Sequence, residues 1–408
     1  MDKSAPTQSR RFNPASLDAL NFFLADVRTG FGPYLNVFLV TERHWSQSDV
    51  GLVTTIGGLL SILVQTPVGA MIDATRAKRA LIVGALVLMA LGPLAVFLWP
   101  QFRPVMIANA FVMTVGDVFL PAVAALTLGL YRRQDLARRL GRNSAFDHAG
   151  NIAFALVAAV ICYYFSQRAV FVLAPVFAAC AAASVLAIPA DAIDFERARD
   201  AEIGAVEASH VAGYSILIQS RPLVVFGFCA LLFHLANAAL LPLVGQELAL
   251  QHPREATAMV STCIIAAQGV MLPIALLVGR NADSWGRKPL FLAGFAVLPL
   301  RAVLYTFSDN SVWLIGVQLL DGVGAGIFGA LTPLVIADIM RGTGRYNLAQ
   351  GAIATMQGIG AALSGLAAGV IVDHLGYRWG FLTFGALAGI AFAVFLIAMP
   401  ETAARRGQ

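Results

Sequence analysis

Four ionisable side chains stand deep inside long apolar runs of the sequence: Asp26, Asp117, His234 and Asp321. A charge in such surroundings is costly, so each is expected to face other parts of the protein or a wet cavity. A carboxylate in a low-dielectric cavity can bind and release a proton near neutral pH, and histidine titrates in this range already. These residues are therefore candidate proton carriers, and the three acids would also suit a cationic ligand.

The first of these acids is followed two residues later by Arg28, within the same apolar run. Positions two apart on a helix point about 200° away from each other, so Asp26 and Arg28 cannot simply pair. Asp26 shares a face with Pro33, opposite the face of Arg28, and Asn36 at the edge could reach either. We expect one of these faces to look into a cavity and the other into the N-terminal bundle. Asp117 is then the expected partner of Arg28, which leaves Asp26 to titrate. The alternative is that Asp26 and Arg28 are each held in structural pairs.

The composition places these residues in a membrane protein. The 408-residue chain is 58% hydrophobic and 12% charged, with a mean hydropathy of +0.75, whereas a soluble globular chain is about a quarter charged. The formal net charge of +5 does not indicate nucleic-acid binding, because the basic residues fall in short gaps between apolar runs. The four cysteines stand singly, without the spacing of a metal site or a disulfide framework, so we interpret them as packing residues.

Twelve apolar runs are long enough to cross a bilayer, which takes about 20 residues of helix. All of them are predicted to be helical, since lipid offers no water to unpaired backbone groups. The runs, which we call spans 1 to 12, are roughly 16–40, 49–72, 80–99, 104–130, 143–165, 169–189, 222–246, 257–279, 289–308, 312–338, 347–372 and 379–399.

Lysine and arginine residues set the predicted orientation. With an even number of spans both termini lie on one side, and that side carries roughly 21 of the 28 Lys and Arg residues if it is the cytoplasm. We therefore expect a multi-pass protein of the inner (plasma) membrane with both termini cytoplasmic. The longest gap, residues 190–221, contains the amphipathic stretch DAIDFERARDAE and is a predicted cytoplasmic linker between an N-terminal bundle, 1–189, and a C-terminal bundle, 222–408.

The two predicted bundles resemble each other in sequence. GAMIDATRAKR follows span 2, and GRNADSWGRKP follows span 8. The residues that match at one offset are Gly69 with Gly279, Asp73 with Asp283, and Lys78 with Lys288. In the same way Asp117 corresponds to Asp321, and Pro33 corresponds to Pro242. Such an internal repeat of six spans is typical of transporters, because two related bundles can rock around a site between them.

The loops of this repeat resemble a signature of the major facilitator superfamily, G-x-x-x-D-x-x-G-R-K, and the resemblance covers essentially the whole chain. The second copy is intact and consists of Gly279, Asp283, Gly286, Arg287 and Lys288. The first copy departs from the signature, since Arg76 replaces the second glycine and Ala77 replaces the first basic residue. Positive charge is still supplied there by Arg76, Lys78 and Arg79.

The resemblance implies that these loops form a latch between the bundles. The latch residues would be Gly69, Asp73, Lys78, Arg79, Gly279, Asp283, Gly286, Arg287 and Lys288. Asp73 is expected near the start of span 11, because the N-terminus of a helix attracts a carboxylate. The alternative is that the loop is a tight turn that carries cytoplasmic positive charge.

The resemblance also implies that spans 1, 4, 7 and 10 line a central cavity. Together with polar residues at helical spacing, it predicts these cavity and proton-coupling residues: Asp26, Arg28, Asn36, Asp117, His234, Asn237, Gln268, Gln318, Asp321, Gln350 and Gln357. The alternative is that the polar stripes pack helices together. Arg301 in span 9 lies nearer the end of a span, and we expect it to extend outward to the membrane surface.

These patterns predict a secondary active transporter for a small organic solute, coupled to protons, with export favoured. An alternative is a facilitative uniporter, or an importer of an organic anion bound through Arg28, and a membrane enzyme or receptor is more remote. The sequence has no HExxH motif, clustered metal ligands or nucleotide-binding loop, so neither an enzyme nor a cofactor is expected. We expect a monomer in the lipid bilayer whose partners are the solute and protons.

Overall fold

The computed structural model describes residues 13–29, 32–75, 77–131, 133–194, 216–341, 343 and 346–403. Every regular element in these ranges is helical, as the apolar runs predict. The α-helices are α1 (Pro14–Thr29), α2 (Gly32–Thr41), α3 (Gln47–Ala74), α4 (Lys78–Leu98), α5 (Phe102–Gly116), α6 (Phe119–Leu130), α7 (Arg133–Tyr164), α8 (Val170–Leu186), α9 (Ile216–Gln219), α10 (Arg221–Asn237), α11 (Leu240–Gln251), α12 (Ala256–Trp285), α13 (Arg287–Leu304), α14 (Ser311–Ile339), α15 (Tyr346–Leu375) and α16 (Tyr377–Ala398).

Each predicted span corresponds to one α-helix or to two consecutive ones. Ten stretches of the described chain are long and apolar enough to cross a membrane, judged by length and composition. Span 1 falls outside this count because residues 30 and 31 are not among the described residues, and the helices on either side, α1 and α2, have 16 and 10 residues. Span 9 falls outside it because the 18 residues of α13 include three basic ones. The predicted all-α membrane fold is confirmed.

Span 5 begins earlier than predicted, at Arg133 rather than at about residue 143. The added residues are mostly good helix formers, so they extend α7 beyond its apolar part. Asp18 of α1 holds this extension, because it forms ion pairs of 2.7 Å with both Arg139 and Arg142. Asp18 and Arg139 are buried together, and the pairing allows a charged segment to pack against α1.

Spans 4 and 7 each consist of two consecutive helices. The junctions lie at Asp117 and Val118 between α5 and α6, and at Ala238 and Ala239 between α10 and α11. The backbone angles at both junctions stay in the helical region, so each span continues through its junction. Pro242 stands in the first turn of α11, where the missing proline N–H costs least.

The packed interior falls mainly into two clusters, one in each predicted bundle. In the N-terminal half the rings of Phe38 and Phe171 lie 5.0 Å apart, and in the C-terminal half those of Phe233 and Phe328 lie 4.5 Å apart. Most of the predicted linker, residues 195–215, lies outside the described residues. Its boundaries, and the division of the chain into two bundles at this linker, therefore stay a prediction.

Arg301 does not extend to the membrane surface as expected. Its side chain is buried in the C-terminal half, where it forms an ion pair with Asp321 of α14 and donates a hydrogen bond of 2.9 Å to Oδ1 of Asn237. Gln318 donates a hydrogen bond of 3.1 Å to Asp321 and accepts one from Tyr305. The prediction was wrong because a carboxylate on the neighbouring helix offers the guanidinium a partner within the protein.

The two halves meet closely along α3 and α15 at one end of the molecule. A Cβ atom on Gly51 would lie 2.2 Å from the carbonyl oxygen of Gly365, so only glycine allows this approach. Thr55 adds a hydrogen bond of 2.6 Å from Oγ1 to the carbonyl oxygen of Ala362. We call this end, which carries the loop 42–46 and the turn Pro253–Glu255, the outer face, after the predicted orientation.

Asp373 joins the halves at the outer face. Its carboxylate lies near the end of α15 and accepts hydrogen bonds from the backbone N–H groups of Gln47, at 3.0 Å, and Ser48, at 2.8 Å. These are the first residues of α3, so the carboxylate lies at the positive end of a helix dipole. Gln47 also donates a hydrogen bond of 2.9 Å to the hydroxyl of Tyr377.

A second crossing between the halves pairs α7 with α12. His148 and Gln268 form a hydrogen bond of 2.7 Å between Nδ1 and Oε1. At the opposite end of α3 and α15, which we call the inner face, the side chains of Gln65 and Gln350 are exposed, and no described atom lies within 4 Å of a Cβ built on Gly351. The halves are thus closed at the outer face and diverge toward the inner face.

We expect Asp373→Asn to open the outer face more often, because it removes the charge that caps α3. Such a charge is worth about 0.3–1 kcal/mol, and up to about 2 kcal/mol when partly buried, so the open population should rise roughly two- to thirtyfold. The measurement is the rate at which a membrane-impermeant maleimide labels Thr54→Cys in a protein without its four native cysteines. Asp49→Asn, an exposed acid in the first turn of α3, is the control, and equal rates in both variants would contradict the prediction.

Arg301→Leu should destabilise the protein strongly, because it leaves Asp321 buried without its cation. Breaking a buried ion pair costs about 3–5 kcal/mol, whereas replacing both members with apolar residues is often neutral. Thermal unfolding of the purified protein should therefore show that Arg301→Leu with Asp321→Leu recovers much of the loss. Arg168→Leu is the control, since its 3.4 Å pair with Glu42 is partly exposed and should be worth about 0–1 kcal/mol. A double variant no more stable than Arg301→Leu would refute the pairing.

Candidate functional site

A cavity of about 320 Å³ lies between the two halves, near the outer face. That volume is at the lower end of the range of about 300–1,000 Å³ typical of ligand pockets. The walls come from α2, α3, α14, α15 and the junction of α10 with α11. The polar residues that line it are Asn36, Gln47, Thr54, Asn237, Gln246 and Asp321.

Spans 1 and 7 both contribute to the cavity wall. Asn237, the last residue of α10, and Leu241, in the first turn of α11, both line it. On the other side Gly32 and Pro33 of α2 also line it. Pro33 and Pro242 are related by the internal repeat, so the two halves contribute matching parts of the wall. A site at the interface of two repeats is typical of transporters.

The wall of the cavity has little net charge. Asp321 is the one charged side chain among the described lining residues, and its charge is offset by Arg301, which lies behind it. Asn237 also holds Arg301, through its side-chain oxygen. The remaining polar lining consists of amides and hydroxyls. This arrangement suits an uncharged ligand better than a strongly charged one.

Two amides of the lining have buried oxygens without a partner. Asn36 is 7% exposed and Gln246 is 3% exposed. In the described part of the chain, neither Oδ1 of Asn36 nor Oε1 of Gln246 accepts a hydrogen bond. Burying an acceptor in this way costs free energy, and it makes both oxygens candidates to bind a ligand that donates hydrogen bonds.

Three of the predicted cavity residues line this cavity: Asn36, Asn237 and Asp321. Gln318 is fully buried and contacts Asp321 from behind. His234 does not line the cavity, because its Nδ1 bonds to a carbonyl oxygen one turn back in α10, at 2.9 Å, and its ring packs against aromatic rings of the C-terminal core.

The other predicted residues of spans 8 and 11 lie away from this cavity. Gln268 bonds to His148 of α7 and so joins the two halves. Gln350 is exposed near the inner face, and Gln357 is half-buried. In span 8 the polar face of the helix therefore contacts the other half. In span 11 the polar face lies toward the inner face, where the halves diverge.

The predicted charges of the N-terminal half lie inside that half. Asp26 is buried and interacts electrostatically with Asp147 of α7. Asp117, at the junction of α5 with α6, accepts a hydrogen bond of 2.7 Å from Oγ of Ser61. The side chain of Arg28 lies outside the described residues. Its pairing with Asp117 therefore stays a prediction.

A second cavity, of about 300 Å³, lies within the N-terminal half and is lined in part by Asn143, Asp147 and His148. Reasoning from sequence missed Asp147 and His148, because we placed them at the cytoplasmic end of span 5. Since α7 extends back to Arg133, they lie well inside the helix instead. The signal that could have found them is an acid next to a histidine at the start of an apolar run.

The second copy of the loop signature forms a network within the C-terminal half. Gly286 has a φ of 87°, in the left-handed region that glycine favours. Arg287 forms ion pairs with Asp283, at 2.8 Å, and with Asp338 of α14, at 3.1 Å. Gly279 stands in α12, with no described atom within 4 Å of a built Cβ.

Two acids that cap helices were not predicted. Glu401 accepts hydrogen bonds from the backbone N–H groups of Arg287, at 2.9 Å, and Lys288, at 3.1 Å, and so caps α13. Asp373 caps α3 in the same way across the two halves. The segment 369–376 repeats the glycine and aspartate spacing of the loop signature, and this spacing could have revealed Asp373.

In the first copy of the signature, the basic residues satisfy the ends of helices. Lys78 donates a hydrogen bond of 2.9 Å to the carbonyl oxygen of Ile72, and Arg79 donates one of 2.8 Å to a carbonyl oxygen at the end of α8. For Gly69 and Asp73 the structure describes the backbone helix alone. The latch role of Asp73 therefore stays a prediction.

Comparisons with known proteins agree with this architecture. The family model described as Major Facilitator Superfamily matches residues 17–280 and 226–408. A relative from Mycobacterium tuberculosis (strain H37Rv), named uncharacterized MFS-type transporter Rv2456c, is 49% identical over 388 residues, which cover 95% of this chain and 93% of that protein. The multidrug transporter protein MdtP of Bacillus subtilis is 29% identical over 136 residues, which cover 33% of this chain and 24% of that protein.

Among solved structures, the nucleoside transporter NupG matches with a TM-score of 0.73 over 94% of this chain and 98% of that one. The two sequences are 15% identical, so the likeness shows a shared fold. The family model and the relative from Mycobacterium tuberculosis both extend over most of the chain. The chain therefore belongs to the major facilitator superfamily, whose members are transporters rather than enzymes.

Proposed function

We propose that this protein is a secondary active transporter that moves a small organic solute by alternating access, coupled to protons, with export as the favoured direction. The observation that carries the proposal is the cavity lined by spans 1 and 7, between two halves that are closed at the outer face. A site in this place becomes accessible from either side when the halves rock against each other. The partial relative named a multidrug transporter supports an organic solute as the substrate.

The distribution of charge favours movement of each half as a rigid body. The buried pairs of Arg301 with Asp321 and of Asp18 with Arg139 each lie within one half. In the described part of the chain no ion pair joins the halves, which meet through glycines and hydrogen bonds such as that of Thr55. A hydrogen bond of this kind is worth about 0.5–1.5 kcal/mol net. Opening the outer face therefore breaks weak contacts and separates no ion pair between described residues.

We propose Asp26 as the residue that binds the coupling proton. It is buried in α1 and interacts with Asp147, which lines the second cavity together with His148. His148 bonds to Gln268 in the other half. A proton gained or lost among these residues would therefore affect the contact of His148 with Gln268. It would shift the balance between the arrangement of the halves that is closed at the outer face and the one that is open there.

Reconstitution in proteoliposomes tests the proposed function. A panel of small organic solutes is offered with an imposed pH gradient, and protein-free liposomes are the control. Accumulation that a protonophore abolishes is the expected result. Movement of solute down its gradient that the protonophore does not change would indicate a facilitative uniporter instead. The absence of movement of any solute would contradict a transport function.

Asp26→Asn resembles the protonated acid and changes the volume little. We expect this variant to lose proton-driven accumulation and to retain exchange of solute across the membrane, because the cavity itself is unchanged. Asp135→Asn, an exposed acid in the first turn of α7, should behave as the parent does. If Asp26→Asn accumulates solute as well as the parent, the proton is carried elsewhere, and Asp321 and His234 become the next residues to test.

A further inference from the structure

We propose that the cavity binds a small uncharged solute that donates several hydrogen bonds, with the side-chain oxygens of Asn36 and Gln246 as its principal acceptors. The proposal names the substrate class of the transporter proposed above and rests on that function. Hydroxyl groups and amide N–H groups are the donors that fit this description. Gln246 was not among the residues predicted from sequence.

The two acceptors are positioned to hold a ligand between the halves. Asn36 lies on α2 in the N-terminal half, and Gln246 lies on α11 in the C-terminal half. Both side chains line the cavity and are more than nine-tenths buried, at 7% and 3% exposure. Their oxygens accept no hydrogen bond from any described residue. A buried acceptor without a partner is destabilising, and a donor on the solute would relieve that cost in both halves at once.

The charge of the wall argues against an ionic solute. The carboxylate of Asp321 is the one charged group among the described lining residues, and Arg301 already neutralises it. An organic anion would meet amide oxygens and this carboxylate, and an organic cation would have to compete with the buried guanidinium. Among the described lining residues neither ion would find a counter-charge that is not already paired, so the loss of its hydration would be costly in a low-dielectric site.

The size and the remaining lining suit a compact ring. The volume of about 320 Å³ accommodates a small solute rather than a long chain. Val50, Leu241 and Pro242 give the cavity apolar patches beside the polar groups. Thr54 and Gln47 add further polar atoms at its edge. A ring with an apolar face and a polar rim therefore matches the wall.

Ligand-induced thermal stabilisation of the purified protein in detergent tests the proposal without requiring transport. The probes are matched series in which the ring is constant and the charge varies: glucose with glucosamine and glucuronate, uridine with orotidine, and benzamide with benzylamine and benzoate. In at least one series the uncharged member should raise the melting temperature, and its charged relatives should raise it less or not at all.

Two substitutions test the acceptors. Asn36→Leu and Gln246→Leu remove the amide and roughly keep the volume, so each should weaken binding of the uncharged probe about three- to tenfold. The melting temperature without ligand should stay the same or rise, because a buried unpaired oxygen is lost. Gln219→Leu makes the same chemical change at an exposed position on α9 and should alter neither quantity. Gln246→Glu keeps the shape and adds a charge, so it should shift preference toward the cationic member of a series.

The outcomes separate this proposal from the proposed function. Stronger stabilisation by a charged member of a series, the absence of binding by every uncharged probe, or unchanged binding in both leucine variants would overturn the substrate class. Transport of an organic ion in proteoliposomes would support the transporter function and would overturn the proposed substrate class. Binding of an uncharged probe that depends on Asn36 and Gln246, without exchange in proteoliposomes, would uphold the site and contradict the transporter.

Discussion

A buried charge in a membrane protein needs a partner inside the protein, and this constraint organises both halves of the molecule. Arg301 meets Asp321 in the C-terminal half, and Asp18 meets Arg139 in the N-terminal half. Separating either pair would cost several kcal/mol, about 3–5 if one member were lost. Because each pair stays within one half, the strongest polar interactions make each bundle stiff and leave the boundary between the bundles to weaker contacts.

The boundary contacts have the character expected of a reversible closure. Backbones approach through Gly51 and Gly365, the carboxylate of Asp373 caps a helix of the other half, and His148 forms a hydrogen bond with Gln268. Each of these forms or breaks at a cost of about 0.3–2 kcal/mol. The described wall of the cavity has little net charge, since its one acid, Asp321, is paired with Arg301. Stiff halves, a weak boundary and a cavity between the repeats together support alternating access.

Much of the fold follows from the sequence, because twenty apolar residues in lipid have few alternatives to a helix. The spans and the repeat, with its matching prolines Pro33 and Pro242, could be predicted in this way. The direction of a long side chain could not be predicted. Arg301 points into the protein because Asp321 of the neighbouring helix faces it, and spacing along one helix does not reveal which residues the neighbouring helix presents. Glu401 and Gln246 were missed for a related reason, since a cap or an unpaired acceptor is defined by residues far away in the chain.

The most direct test of alternating access is a pair of distances measured by electron spin resonance between labels on the two halves, in liposomes. Labels at Arg43 and Arg254, both exposed, report on the outer face, and labels at the exposed residues Asp135 and Arg280 report on the inner face. When solute or a pH gradient is applied, the account predicts that the outer distance lengthens while the inner distance shortens. Two distances that remain fixed, or that change in the same direction, would contradict it.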